Sequence, residues 1–168
     1  MSTSLILTLK LDQATFERVN TLRQQYFPPE RNVVPAHVIL FHQLPGDHES
    51  AISHSLKTLC AQTRHFPVSL PSLQFLGNGV AITVSSPELR QAHKTLAATW
   101  DTWLIPQDRQ GYRPHITIQN KVNPETARQL YEDLGARWQP RTGWGEGLLL
   151  WYYRQGPWEL AREFCFAP

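Results

Sequence analysis

"PAHVILFHQLPG", residues 35–46, sets a histidine at the head of an apolar run that reads as a β-strand, and "RPHITIQN", residues 113–120, does so again. In each copy a proline stands one or two residues ahead of the histidine. An isolated histidine on a half-buried strand is more often a hydrogen-bonded packing residue than a reactive one. Two copies in comparable surroundings change that balance, and the rest of the chain is arranged around them.

Working outward from the first copy, "LILTLKL" (5–11) alternates as a strand should. Asp12 is an N-cap candidate for a helix over "QATFERVNTLRQQYF", which Pro28 and Pro29 stop. "AHVILFH" reads as the next strand, "PGD" as a turn, residues 49–64 as a helix, and "VSLPSLQFLG" as a strand with a proline-marked bulge. From Gly79 the order restarts. "GVAITVSS" is strand-like, "PELRQAHKTLAATWDTWL" opens with Pro87 at a helix start, and the second histidine strand follows. "NPETARQLYEDLGA" is then a helix, and "LLLWYYR" and "WELAREFCFAP" are strands flanking a Gly-Pro turn.

Both halves therefore read strand, helix, histidine-strand, helix, strand. The expected fold is a single α+β domain over 1–168, bilobal and pseudo-symmetric. Its lobes are placed at about 1–76 and 77–168, with two antiparallel sheets lining a central cleft. Strand alternation predicts that His37, Ile39 and Phe41 share one face, with Val38, Leu40 and His42 on the other. His115, Thr117 and Gln119 likewise share a face, opposite Ile116 and Ile118.

Composition narrows the function classes. The chain has 168 residues, 41% apolar and 18% charged, and a formal net charge of +2. That balance suits a soluble globular domain and admits a nucleotide or phosphate ligand, but it lacks the dense basic surface of a general nucleic-acid coater. Two cysteines, Cys60 and Cys165, make no disulfide framework and point to a reducing, cytoplasmic setting. No apolar run is long enough to span a bilayer, so no membrane association is expected. "GNG" (77–79) reads as a turn, and "GWGEG" (143–147) leads into a strand where a dinucleotide fingerprint needs a helix, so no nucleotide cofactor is expected. His42, Asp47 and His48 are a poor metal cluster because His42 is expected on the far strand face. His54, His65 and His93 read as solvated or helix-surface residues.

The paired "HVIL" (37–40) and "HITI" (115–118) resemble the His-x-Thr/Ser motifs of the 2H phosphoesterase superfamily, in particular its branch of 2'-5' RNA ligases and RNA 2',3'-cyclic phosphodiesterases. The resemblance covers nearly the whole chain, since the duplicated element order matches too. It implies a metal-independent phosphoesterase, without cofactor, that hydrolyses 2',3'-cyclic ends of RNA or of small nucleotides, with 2'-5' ligation as the reverse reaction. His37 and His115 are then the acid/base pair, because in-line opening of a cyclic phosphodiester needs a proton removed on one side of phosphorus and one delivered on the other. Thr117, Arg113 and Lys121 are the expected phosphate contacts, and Ile39, Phe41, Gln119 and Tyr112 the expected cleft walls. Tyr112, Trp144, Trp151 and Tyr153 are candidates to stack a base, with core packing the better reading of Trp151. Ile39 departs from the pattern: it stands where the family places a hydroxyl, and it cannot donate a hydrogen bond. The alternative is accordingly a non-catalytic binder of phosphate or RNA ends that has lost turnover there. A monomer is expected.

Overall fold

A computed structural model describes residues 3–168. Strand β1 (Ser4–Leu11) leads into α1 (Gln13–Tyr26), which starts where the Asp12 carboxylate accepts the amide of Thr15. A loop then runs to β2 (Ile39–Pro45), and α2 (Glu49–Ala61) and β3 (Phe66–Leu70) follow. The expected single strand over "VSLPSLQFLG" is two. Pro71 ends β3, and β4 (Leu73–Phe75) joins another sheet, because proline cannot supply a ladder amide.

The turn at 77–79 connects β4 to β5 (Val80–Thr83), with Gly77 at φ 91°. Next come α3 (Pro87–Thr99), whose amide of Leu89 is capped by Ser86, the four-residue α4 (Pro106–Arg109) and β6 (His115–Gln119). The helix α5 (Pro124–Ala136) begins at an Asn123 cap, and β7 (Arg141–Tyr153) and β8 (Glu159–Cys165) end the chain. "GWGEG" lies inside β7. Gly145 faces the Phe66 ring and Gly147 the backbone of Phe164, so both are spots where a Cβ would collide with the neighbouring strand.

Two antiparallel sheets result. One runs β2-β1-β7-β3 with β8 also on β7, and the other runs β4-β5-β6. An antiparallel bridge between Ser69 and Ser85 links them. Sheet membership cuts across the two halves of the chain. The late strands β7 and β8 complete the sheet begun by β1 to β3, while β4, from before residue 76, belongs with β5 and β6. The helices cross too: α1 packs on β6, and α3 packs on β3 and α2.

Along β1 the leucines at 5, 7, 9 and 11 are buried in the core. Burying each fully is worth about 1.5–3 kcal/mol. Strand β2 begins at Ile39, two residues after His37, although the carbonyl of Val38 still accepts the amide of Leu9. Its register on β1 slips twice. Leu5 faces Leu44, Leu7 faces Phe41 and Thr8 faces Ile39, so β2 holds an extra residue in each interval. Such bulges re-aim side chains, and the aim of these two decides the site. Among the described residues, no helix is long and apolar enough to cross a membrane.

Candidate active site

Each motif histidine is clamped in the same way. The ring Nδ1 of His37 donates to the carbonyl of Pro35 at 2.8 Å, and that of His115 donates to the carbonyl of Arg113 at 2.9 Å. A carbonyl only accepts, so both rings carry the proton on Nδ1, which leaves Nε2 as the working atom. The prolines at 35 and 114 hold the short stretches that make these clamps.

A cavity of about 410 Å³ brings the two rings together. His37, Ile39, Tyr112, Arg113, His115 and Thr117 all line it, as expected from the sequence. Three expected residues do not. Phe41 is fully buried, stacks on His93 at 4.6 Å between centroids and meets Trp100 edge-on at 5.2 Å, because the bulge after Ile39 turns it into the core. Gln119 is 4% exposed, with its Oε1 unpartnered, since β6 carries an extra residue between Thr117 and Gln119 that turns Gln119 to the other face. Lys121 is exposed beyond that strand, in a left-handed turn at φ 64°, away from the cavity.

The same bulges overturn the expected aim of His42. It opens onto the cavity alongside His37 and not on the opposite face. Its Nδ1 donates to Asp108 at 2.8 Å, and that carboxylate also accepts the backbone amides of His42 and Gln43. Burial raises the Asp108 pKa, but the hydrogen bonds from His42 and Gln43 outweigh it and hold it below the usual carboxylate range. His93 is not a surface residue either. It is 8% exposed and lies flat between Phe41 and Tyr112, 3.9 Å from the latter's ring, and burial lowers its pKa.

Two residues, half-buried Tyr112 and buried Arg23, tie the motifs to one another. The Tyr112 hydroxyl donates to the carbonyl of Ile39 at 2.8 Å, joining the loop before the second motif to the first, and burial raises its pKa. Arg23, 4% exposed on α1, donates to Asn32 Oδ1 and to the carbonyl of Thr117, both at 2.8 Å. Burial lowers the Arg23 pKa to about 10, so it remains a cation at neutral pH. Burial also pushes His37 down to about 4, against the pull of the Pro35 carbonyl, and the positive charges of Arg23, His115 and His42 add to the shift. His37 is therefore neutral at pH 7, with a lone pair on Nε2.

Behind His37 lies a second, more apolar recess of about 250 Å³, with Phe16, Val34, Trp151 and Trp158 in its walls. The His37 and Trp158 rings sit 4.6 Å apart, and Trp151, half-buried here, donates from its indole to Thr8. Trp144 and Tyr153 are exposed on β7 and line neither cavity. Among the described residues, no three His, Cys, Asp or Glu side chains are grouped to hold a metal ion.

The model of the 2'-5' RNA ligase superfamily matches residues 11–157, a span that takes in both clamped histidines. The chain belongs to the 2'-5' RNA ligase superfamily. Structural likeness runs the same way for the 2H phosphoesterase fold. The Thermus thermophilus protein TT0787 aligns with a TM-score of 0.70 at 14% identity, over 97% of each chain. E. coli LigT in complex with 3'-AMP aligns with a TM-score of 0.66 at 15% identity over the whole of both chains, and LigT with phosphate gives 0.65 at 15% identity over 99% of both. No curated protein matches the sequence.

Within this superfamily, the histidine pair was readable from the motif spacing. His42–Asp108 and Arg23–Thr117 were not, since 66 and 94 residues separate the partners.

Proposed function

We propose that the protein is a metal-independent phosphoesterase opening 2',3'-cyclic phosphodiester ends of RNA or of small nucleotides. One observation carries the reading: two imidazoles, each clamped through Nδ1, present Nε2 to a single cavity that also holds Thr117 and Arg113. Neutral His37 takes a proton from water on Nε2 as the water oxygen bonds to phosphorus. The bond from phosphorus to one ribose oxygen breaks, and that oxygen leaves with the proton of a protonated His115. Thr117 and Arg113 hold the non-bridging oxygens. The adjoining recess with Trp151 and Trp158 suits the nucleoside portion. The complexes of LigT with 3'-AMP and with phosphate support a ligand of this kind. Run backwards, the same groups join a 5'-hydroxyl to a cyclic end. We read the protein as a cytoplasmic monomer, in keeping with its free Cys60 and Cys165.

The test is turnover of a 2',3'-cyclic nucleotide in the presence of EDTA. Wild type should hydrolyse it, and His37→Ala and His115→Ala should each lose about 10²- to 10⁴-fold in kcat. Full activity in both variants, or none in wild type, removes the reading. Ile39 favours a second one, a binder of phosphate ends without turnover. Ligand-induced stabilisation with no hydrolysis is its signature.

A further inference from the structure

Position 39 leaves the first half of the cavity without the hydroxyl that Thr117 supplies in the second. The nearest polar group on the same strand is His42. Its side chain is 39% exposed, while that of Asp108 beneath it is 1% exposed. Asp108 takes the backbone amide of His42 at 2.9 Å, that of Gln43 at 3.1 Å and the imidazole Nδ1 at 2.8 Å, so three donors converge on one buried carboxylate. A structural tie between β2 and α4 would need only the amides. The third bond orients a ring whose remaining nitrogen, Nε2, has no partner among the described residues and opens onto the cavity of His37, His115 and Thr117.

We propose that His42, oriented by Asp108, is a further imidazole of the site, donating from Nε2 to a non-bridging phosphoryl oxygen in place of the hydroxyl missing at Ile39. An anionic phosphoryl group on Nε2 and the Asp108 carboxylate on Nδ1 bracket an imidazolium with negative charge on both sides. Against it stand the cation of Arg113 and the imidazoles of His37, His93 and His115, all of which line the same cavity. The bulges in β2 are what make the arrangement possible, since regular alternation would leave His42 on the far face from His37. Asp108 is a positioning residue and touches no substrate. The inference rests on the phosphoesterase reading for its substrate, but not for its ligand group.

The experiment measures binding of inorganic phosphate by calorimetry to wild type, His42→Ala, Ile39→Thr and the double variant. Imidazole 15N shifts are recorded alongside, and circular dichroism checks the fold. His42→Ala should weaken phosphate by about 10- to 100-fold, the worth of one hydrogen bond to a charged group. His42→Gln, which keeps a neutral donor, should recover part of that loss. Ile39→Thr should restore phosphate binding by about tenfold in the His42→Ala background and by much less in wild type, because the two donors serve one oxygen and are not additive. Phosphate should also move the His42 Nε2 resonance. No measurable phosphate binding in wild type, unchanged binding in His42→Ala, or an equal gain from Ile39→Thr in both backgrounds overturns the proposal. Phosphate binding that tracks His42 in a protein that hydrolyses no cyclic nucleotide would sink the enzymatic reading and leave this one standing.

Discussion

Lowering the pH from 7 to 5 should cost the native protein about 1–2 kcal/mol at a single residue, His37. Its native pKa lies at about 4, against 6.5 for the same ring in the unfolded chain. Between these values the unfolded state binds the extra proton, so stability rises with pH across the window. The contribution of neutral His37 is complete above about pH 6.5 and is lost as the pH falls through 4. At pH 5 the unfolded state is favoured by a factor of about 30 from this site, close to 2 kcal/mol, and at pH 7 by a factor of about 1.3. Partial solvent access to the ring reduces the first figure toward about 1 kcal/mol.

The comparison is with His37→Gln, which keeps an N–H for the Pro35 carbonyl and does not titrate. Urea unfolding of both proteins at pH 7 and at pH 5 gives a difference of differences in which the other shifted groups, His93, Asp12 and Asp108 among them, cancel. The variant should gain about 1–2 kcal/mol on wild type as the pH drops. Identical pH dependence in the two proteins, or a His37 ring resonance titrating at or above pH 6.5, refutes the reasoning. It would also remove the ground for assigning the base to His37.

Other expected outcomes concern the parts that hold the motifs together. Arg23→Met strands the Thr117 carbonyl and Asn32 Oδ1 and should cost about 2–4 kcal/mol in urea unfolding. Kcat toward the cyclic nucleotide should fall with it, because Arg23 supports the backbone at Thr117. Tyr112→Phe deletes the bond to the Ile39 carbonyl and should cost about 0.5–1.5 kcal/mol, read as a fall in Tm. Gly79→Ala puts a Cβ 1.9 Å from the carbonyl oxygen of Gln119, which β5 can relieve only by moving off β6. A loss of about 1–3 kcal/mol or more is expected, with faster amide exchange along β6.

Much of this molecule is local and therefore legible in the chain. Asp12 and Asn123 start helices where the polar residue precedes an apolar repeat, because a side-chain oxygen satisfies an amide three residues on, and Pro87 marks the start of α3. The paired histidines, with a proline just upstream of each, disclosed the family and the two clamped rings of the cavity. Alternation placed Thr117 correctly because β6 pairs regularly with β5 from His115 to Thr117, and it failed for Gln119 because Ile118 is an extra residue in that pairing.

Alternation failed for Phe41 and His42 because β2 carries two extra residues relative to β1, and a bulge is set by the partner strand's register, not by the strand's own pattern. Pro71 marked a break but not that the chain would change sheets there. Asp108 beneath His42, Arg23 behind Thr117 and His93 between Phe41 and Tyr112 are contacts between segments distant in the chain. Buried polar groups need partners wherever the fold supplies them, so chain order picked out the candidate residues, and packing decided which of them meet.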